Sequence, residues 1–110
     1  MIKTVFFIVV SLFASFSVSA VTWKDSGYVE ITQLYPYDGG LIVYPKYADT
    51  SVSSCDNGTR FAIYSTEPNY NVKASLLVAA FMANKKVNLR YDAEQPKICE
   101  PLINRFLVKH

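Results

Sequence analysis

The sequence predicts a small, mainly β domain with one helix and one disulfide bond. Several short segments are rich in aromatic and β-branched residues, and turn residues separate them, which is typical of strands. One longer run consists largely of strong helix formers. The chain has two cysteines, Cys55 and Cys99, which lie well apart and can close a single bridge.

The N-terminal segment has the order of features that marks a secretory signal peptide. Lys3 supplies a positive charge, residues 5–16 are almost entirely apolar, and Val18-Ser19-Ala20 offers the small residues that a signal peptidase reads. A membrane anchor is the alternative, but a spanning helix needs about 20 apolar residues, and this run is shorter. We therefore expect residues 1–20 to be removed, leaving residues 21–110 as one secreted or periplasmic domain.

An oxidising compartment and an even cysteine count favour a bond between Cys55 and Cys99. A domain of this size buries only about 60–65% of its unfolded surface, so a covalent link is useful. The chain-entropy model assigns such a link about 4 kcal/mol of stability. Two free thiols are the alternative, which the expected compartment disfavours.

The first two predicted strands form a hairpin. Residues 28–35 are rich in Tyr, Val, Ile and Thr, and Pro36 ends this strand. Asp38-Gly39-Gly40 supplies the turn, because glycine takes the positive φ angles that hairpin turns require. Residues 41–44 form the returning strand, which ends at Pro45.

A polar connection over residues 46–59 follows the hairpin and contains Cys55. Within it, Asn57-Gly58-Thr59 matches a glycosylation sequon, although an Asn-Gly turn explains the same residues. Residues 60–64 form the third strand, with Phe61 and Ile63 on one face.

Residues 72–84 predict the only helix, and Asn69 or Asn71 can cap its start. No side chain is polar from position 76 to position 83, so the helix is expected to bury more than one side. A domain this small offers little protein to cover a second side, and self-association would cover it. A core helix whose alanines stay exposed is the alternative. The candidate interface residues are Leu76, Leu77, Val78, Phe81 and Met82.

Two further strands complete the domain. Residues 86–91 alternate between apolar and polar side chains, as a half-exposed strand does. A loop over residues 92–101 holds Cys99, and residues 102–109 form the last strand. The resulting order is β-β-β-α-β-β. Five strands with one helix between the third and the fourth are the order of an OB-fold barrel.

The residue inventory argues against an enzyme, a metal site and a nucleic-acid binder. The only histidine is the terminal His110, and pairing of the cysteines leaves no thiolate nucleophile. No cluster of His, Cys or carboxylates indicates a metal site, and no cofactor is implied. After loss of Lys3, ten basic and nine acidic residues remain, without the basic stripe typical of nucleic-acid binding.

Tyrosine is the residue type that indicates recognition. All eight tyrosines lie in residues 21–110, and each joins an apolar ring to a hydroxyl, a combination enriched at recognition surfaces and suited to sugar rings. Tyr28, Tyr64 and Tyr91 are interpreted as strand filling. The candidate ligand-binding tyrosines are Tyr35, Tyr37, Tyr44 and Tyr47, which crowd the end of the hairpin and the loop after it.

Four segments together resemble the B subunits of subtilase cytotoxin and its typhoid- and pertussis-toxin relatives. These segments are residues 27–34, Ser53-Ser54-Cys55, residues 76–81 and residues 84–91. The resemblance implies an exported OB-fold that forms pentameric rings and binds cell-surface glycans. It also implies a sugar-contacting serine beside the first strand, and Ser26 matches that position one residue out of register. Cys99 has no clear counterpart in the group.

Two functions therefore remain as hypotheses. The first is an oligomeric binding module that recognises a glycan or a partner protein outside the cytoplasm. The second is a monomeric periplasmic structural or inhibitory protein that acts by protein contact. The apolar helix separates them, because a ring would bury its second face and a monomer would leave it exposed.

Overall fold

The structure is a computed structural model that describes residues 21–110, so the predicted signal peptide lies outside the described residues. Its six strands and one α-helix confirm a mainly β domain with a single helix. The elements are β1 (Trp23–Val29), β2 (Ile31–Tyr37), β3 (Gly40–Pro45), β4 (Phe61–Tyr64), α1 (Tyr70–Met82), β5 (Lys86–Asp92) and β6 (Arg105–Lys109). None of the helices in residues 21–110 is long and apolar enough to cross a bilayer.

The segment predicted as one strand over residues 28–35 is two strands that meet at Glu30. The register of β1 shifts between Asp25 and Tyr28, and that of β2 shifts between Ile31 and Gln33. These irregularities turn the chain, so β1 pairs with β5 while β2 pairs with β3. Strand propensity indicates extended backbone but not its partner, so the sequence pattern did not reveal the division.

Within residues 21–110 the strands form two three-stranded antiparallel sheets and not the closed five-stranded barrel that the sequence predicted. The first sheet has the order β1-β5-β6, and the second has the order β2-β3-β4. Besides the continuous chain at Glu30, an isolated parallel bridge between Ala62 and Leu102 joins them. There the amide of Ala62 donates to the carbonyl of Pro101, and the amide of Ile103 donates to the carbonyl of Ala62, each at 2.9 Å.

Both sheets and the helix contribute to one hydrophobic core. The second sheet supplies Val43, Phe61 and Ile63, and the first supplies Val87, Leu89 and Tyr91. The rings of Phe61 and Tyr91 lie 5.4 Å apart, in a tilted arrangement typical of packed aromatic pairs. Apolar residues therefore alternate inward along β3, β4 and β5, and the residues between them form the outer faces of the sheets.

The helix begins at Tyr70, two residues earlier than predicted, after Asn69 in a left-handed conformation. Asn69 makes no side-chain capping hydrogen bond, so neither predicted asparagine acts as a side-chain cap in the expected way. Leu77 and Ala80 are buried, and Phe81 packs against the core. The helix thus covers the second sheet with one side only.

The predicted bridge between Cys55 and Cys99 is confirmed, with their Cα atoms 4.8 Å apart. Next to it, the amide of Ser54 donates to the carbonyl of Ile98 at 2.9 Å. Residues 56–58 form a short turn in which Asp56, Asn57 and Gly58 all have positive φ. The Asn-Gly interpretation of this segment as a turn is therefore confirmed.

Candidate functional site

Four tyrosines share the outer face of the second sheet, which we call the tyrosine face. They are Tyr35 and Tyr37 on β2, Tyr44 on β3 and Tyr64 on β4. The register places Tyr37 and Tyr64 on either side of Gly40, and Tyr35 beside Ile42. All four residues are half-buried, so each is partly accessible to solvent.

Small residues form the floor between these rings. Ile42 on β3 lies opposite Ala62 on β4, Gly40 lies two residues before Ile42 on β3, and all three are buried. A Cβ at Gly40, whose φ is 146°, would collide with the carbonyl oxygen of Ile63. Only glycine therefore lets β3 and β4 lie together here, between Tyr37 and Tyr64.

Tyr44 is held in place from several sides. Its ring stacks on that of Tyr35 at a centroid distance of 6.0 Å. Its hydroxyl donates to Asp56 Oδ2 at 2.6 Å and accepts from Arg60 Nε at 2.8 Å. Burial and the hydrogen bond to Asp56 raise the pKa of Tyr44, so its hydroxyl stays protonated.

Arg60 connects the tyrosine face to the disulfide. Its Nε donates to Asp56 Oδ2 at 2.7 Å, and its Nη1 lies 3.3 Å from Glu100 Oε1 and 3.4 Å from Cys99 Sγ. The guanidinium carbon lies 5.7 Å from the centre of the Tyr44 ring, within the range of a cation–π contact. The hydrogen bonds from Tyr44 and Arg60 hold the pKa of Asp56 below its usual value. One guanidinium thus orients two carboxylates and one phenol.

The loop that carries Cys99 forms the rim of the tyrosine face. The hydroxyl of Tyr64 donates to the carbonyl of Glu100 at 2.5 Å. Burial, and then the nearby carboxylate of Glu100, raise the pKa of Tyr37. The pKa of Tyr64 is raised too, first by burial. Both phenols therefore remain hydrogen-bond donors across the neutral range.

Tyr47, the fourth candidate, is also half-buried, but it packs against the core and not on the tyrosine face. Its hydroxyl lies 2.5 Å from that of Tyr91, which donates to Asp49 Oδ2 at 2.5 Å. Its ring packs against Phe61 at a centroid distance of 6.2 Å. The sequence indicated a polar loop around Tyr47 but not that the loop folds back over the core, which places Tyr47 apart from the other three candidates.

Ser26 lies on the first sheet, apart from the tyrosine face. Its hydroxyl donates to the carbonyl of Gly27 at 2.7 Å and accepts from the amide of Leu89 at 2.9 Å. Gly27 has a positive φ of 74° at the irregularity of β1. The serine thus replaces a ladder hydrogen bond where the pairing slips, which is a structural role.

The helix presents two different sides. Leu77 is fully buried and Phe81 packs against the core, so these two candidate interface residues face the domain's own interior. Leu76, Val78 and Met82 are exposed, Met82 at 75%. Val72, which was not a candidate, is 67% exposed beside them. We call Val72, Leu76, Val78 and Met82 the helix face; together with the intervening Ser75, Ala79 and Ala83 it carries no charge.

Sequence reasoning missed Asp56, Arg60, Tyr64 and Glu100. Two features of the sequence could have indicated three of them. Asp56 and Arg60 are oppositely charged and four residues apart, and Tyr64 follows Ile63 in the third strand, so it lies on the opposite face of the sheet.

Among residues 21–110, no group of three or more His, Cys, Asp or Glu side chains is arranged to hold a metal ion. Comparison with protein-family models, curated proteins and solved structures finds no match to this chain.

Proposed function

We propose that this protein is an exported, non-catalytic binding module that takes a saccharide on the tyrosine face. The observation that carries this proposal is the grouping of four half-buried tyrosines with Arg60 and Glu100 on one sheet face. Aromatic rings stack on the C–H faces of sugars, and phenols, guanidinium and carboxylate groups hydrogen-bond their hydroxyls. Arg60 and its partners are already oriented, so little side-chain entropy would be lost on binding.

The fold supports the same surface. If β1 and β2 count as one bent strand, the chain follows the OB-fold order, and the bridge between Ala62 and Leu102 lies where a five-stranded barrel would close. OB-folds bind oligosaccharides and oligonucleotides over strands 2 and 3 and the loop between strands 4 and 5. Tyr44 and Tyr64 lie on the corresponding strands β3 and β4, and Glu100 lies in the corresponding loop. Tyr35 and Tyr37 lie on β2, which pairs with β3.

The resemblance to toxin B subunits supports export, glycan recognition and assembly into a ring. The helix face, an uncharged strip of four exposed apolar side chains, is the surface on which copies would meet. The same strip is also the observation that favours the alternative, a monomeric periplasmic protein of structural or inhibitory type. In that case a different protein would cover the helix face, and the tyrosine face would have no sugar ligand.

A panel of immobilised oligosaccharides tests the proposal on residues 21–110. We expect wild-type protein to bind a subset of the panel, and Tyr35→Ala to abolish that binding because it removes the ring that stacks on Tyr44. Tyr28→Ala, which removes an exposed tyrosine from the first sheet, is the matched control and should bind as wild type does. Absence of saccharide binding by the wild type, or equal loss in both variants, rejects the tyrosine face as a sugar site.

A further inference from the structure

The outer face of the first sheet carries four basic residues in two directly opposed pairs. Lys86 on β5 lies opposite Lys109 on β6, and Arg90 lies opposite Arg105. Like charges opposite each other on neighbouring strands destabilise a sheet. We call these four residues the basic face. The repulsion within each pair does not stabilise the fold, so this arrangement points to a role outside it.

Carboxylates compensate only part of this charge. Asp25 pairs with Arg90 at 2.7 Å, and Asp92 lies at the end of β5. Within residues 21–110, no carboxylate lies within ion-pair distance of Lys86, Arg105 or Lys109. The face therefore keeps an excess of positive charge, although the described domain as a whole is nearly neutral.

Large apolar side chains are interleaved with these charges. Trp23, Tyr28 and Leu107 are all exposed on the same side of the sheet, Leu107 at 51%. The guanidinium carbon of Arg105 lies 5.4 Å from the centre of the Trp23 ring, and Lys109 Nζ lies 5.1 Å from that of Tyr28. Two of the three apolar groups are thus in direct contact with a cation.

An open groove adjoins this surface. It has a volume of about 450 Å³ and is lined by Tyr28, Asn84, Lys85, Lys86, Lys109 and His110. Lys85 and Lys86 are consecutive, so three lysines line the groove together with Tyr28. The groove has room for one anionic group of moderate size. Lysines on β5, on β6 and in the turn before β5 could contact such a group.

We propose that the basic face binds the surface of an anionic phospholipid bilayer. Lys86, Arg105 and Lys109 would contact headgroup phosphates, while Trp23, Tyr28 and Leu107 would enter the boundary between headgroups and acyl chains, where aromatic side chains are enriched. A soluble polyanion would satisfy the cations but would leave Leu107 and the indole in water. The observation that favours a bilayer is therefore the presence of both side-chain types on one sheet face.

Vesicle binding by residues 21–110 tests this proposal, and Trp23 is the only tryptophan in the chain, so its fluorescence reports on this face alone. We expect co-sedimentation with mixed phosphatidylcholine and phosphatidylglycerol vesicles, with a blue shift of the Trp23 emission. Pure phosphatidylcholine vesicles should bind weakly. About 1 M salt, at which the Debye length falls to about 3 Å, should release the protein.

Two sets of variants locate the contact. Each basic residue near an anionic surface strengthens binding roughly fivefold, so Lys86→Gln/Lys109→Gln should weaken it roughly 25-fold. Because that double variant removes a like-charge pair, it is expected to fold; Leu107→Ser provides a second, uncharged test and should reduce the blue shift. Lys97→Gln, an exposed loop lysine, is the control and should bind as wild type does.

Three results would overturn the proposal. They are no binding to anionic vesicles, equal binding to neutral vesicles, and binding of soluble polyphosphate without any fluorescence shift on vesicles. The last result would identify the basic face as a site for soluble polyanions. Loss of saccharide binding in Tyr35→Ala leaves this surface intact, so failure of one proposal does not imply failure of the other.

Discussion

The phenol of Tyr91 donates a hydrogen bond of 2.5 Å to Oδ2 of Asp49, a carboxylate that is only 7% exposed. Lys24 Nζ contacts the same oxygen at 2.9 Å, and the amide and hydroxyl of Ser51 donate to Oδ1. Because the hydroxyl of Tyr91 donates its hydrogen to Asp49, the hydroxyl of Tyr47 must donate to that of Tyr91. Residues from β1, β5 and the connection after β3 thus meet at one buried charge.

Replacement of Asp49 should be one of the most costly polar changes in the domain. Asp49→Asn leaves Tyr91 and Ser51 with a weaker acceptor and Lys24 without its counter-ion, so we expect a loss on the order of 3 kcal/mol in the free energy of unfolding. Chemical denaturation measures it. Tyr47→Phe removes only the outer hydrogen bond and should cost about 1 kcal/mol. Equal effects of the two changes would contradict a network centred on Asp49.

The stability of the domain should fall in acid, and Asp49 should account for a large share of the fall. Burial alone would raise the pKa of Asp49, but the hydrogen bonds from Ser51, Tyr91 and Lys24 outweigh it and hold that pKa well below the usual value of 3.8. The unfolded chain therefore takes up this proton first as the pH decreases. The stabilisation is complete above about pH 5 and is lost progressively towards pH 2 and below.

Denaturation midpoints measured from pH 7 to pH 2 check this dependence. Asp49→Asn should flatten the curve. The pKa of Asp25 is also lowered, by its hydrogen bond to Arg90, but that carboxylate is exposed and solvent screens it. Asp25→Asn should therefore change the slope less than Asp49→Asn does, and the reverse order would refute the assignment to Asp49.

Removal of the disulfide should destabilise the domain by about 2–5 kcal/mol, as loss of a native bridge does in small secreted domains. The double variant Cys55→Ser/Cys99→Ser avoids a leftover thiol. Ser54→Ala, at the exposed neighbouring position, is the matched control and should stay close to wild type. Urea denaturation compares the three proteins, and a loss below about 1 kcal/mol would show that residues 46–60 hold their position without the bond.

The two sides of the helix should respond differently to substitution. Leu77→Ala opens a cavity in the core and should cost about 2–5 kcal/mol without changing the mass in solution. Leu76→Glu places a charge on the helix face and should leave the fold intact while dissociating an oligomer. Sedimentation equilibrium at tens of micromolar protein measures the mass of the wild type and of each variant in solution, with Lys97→Glu as a surface control. A monomeric wild type would remove the helix face as a site of self-association.

Local chemistry was sufficient to predict the hairpin, the helix and the bridge between Cys55 and Cys99. Each depends on residues close in sequence or on cysteine count. The division of the first strand at Glu30 depends on which strands pair, and that information is spread over β3 and β5. For the same reason Tyr47, in a polar stretch, was expected at the surface, although it lies over Phe61 and Tyr91.

The basic face could not be predicted from the sequence either, because strand pairing brings its charges together. The sequence contains one basic pair, Lys85-Lys86, and no basic stripe. Arg90, Arg105 and Lys109 are separated along the chain, and antiparallel pairing of β5 with β6 brings them together with Lys86. A surface assembled from alternate positions on several strands leaves no run of like charges for sequence inspection to find.

The position of Cys99 links the redox state of the chain to the shape of the tyrosine face. The bond to Cys55 holds the loop that presents Glu100 to Arg60 and to the hydroxyl of Tyr64. A chain that is still reduced would therefore have an incomplete tyrosine face. On the proposed function, oxidation, rather than folding of the sheets, would be the step that makes this surface able to bind.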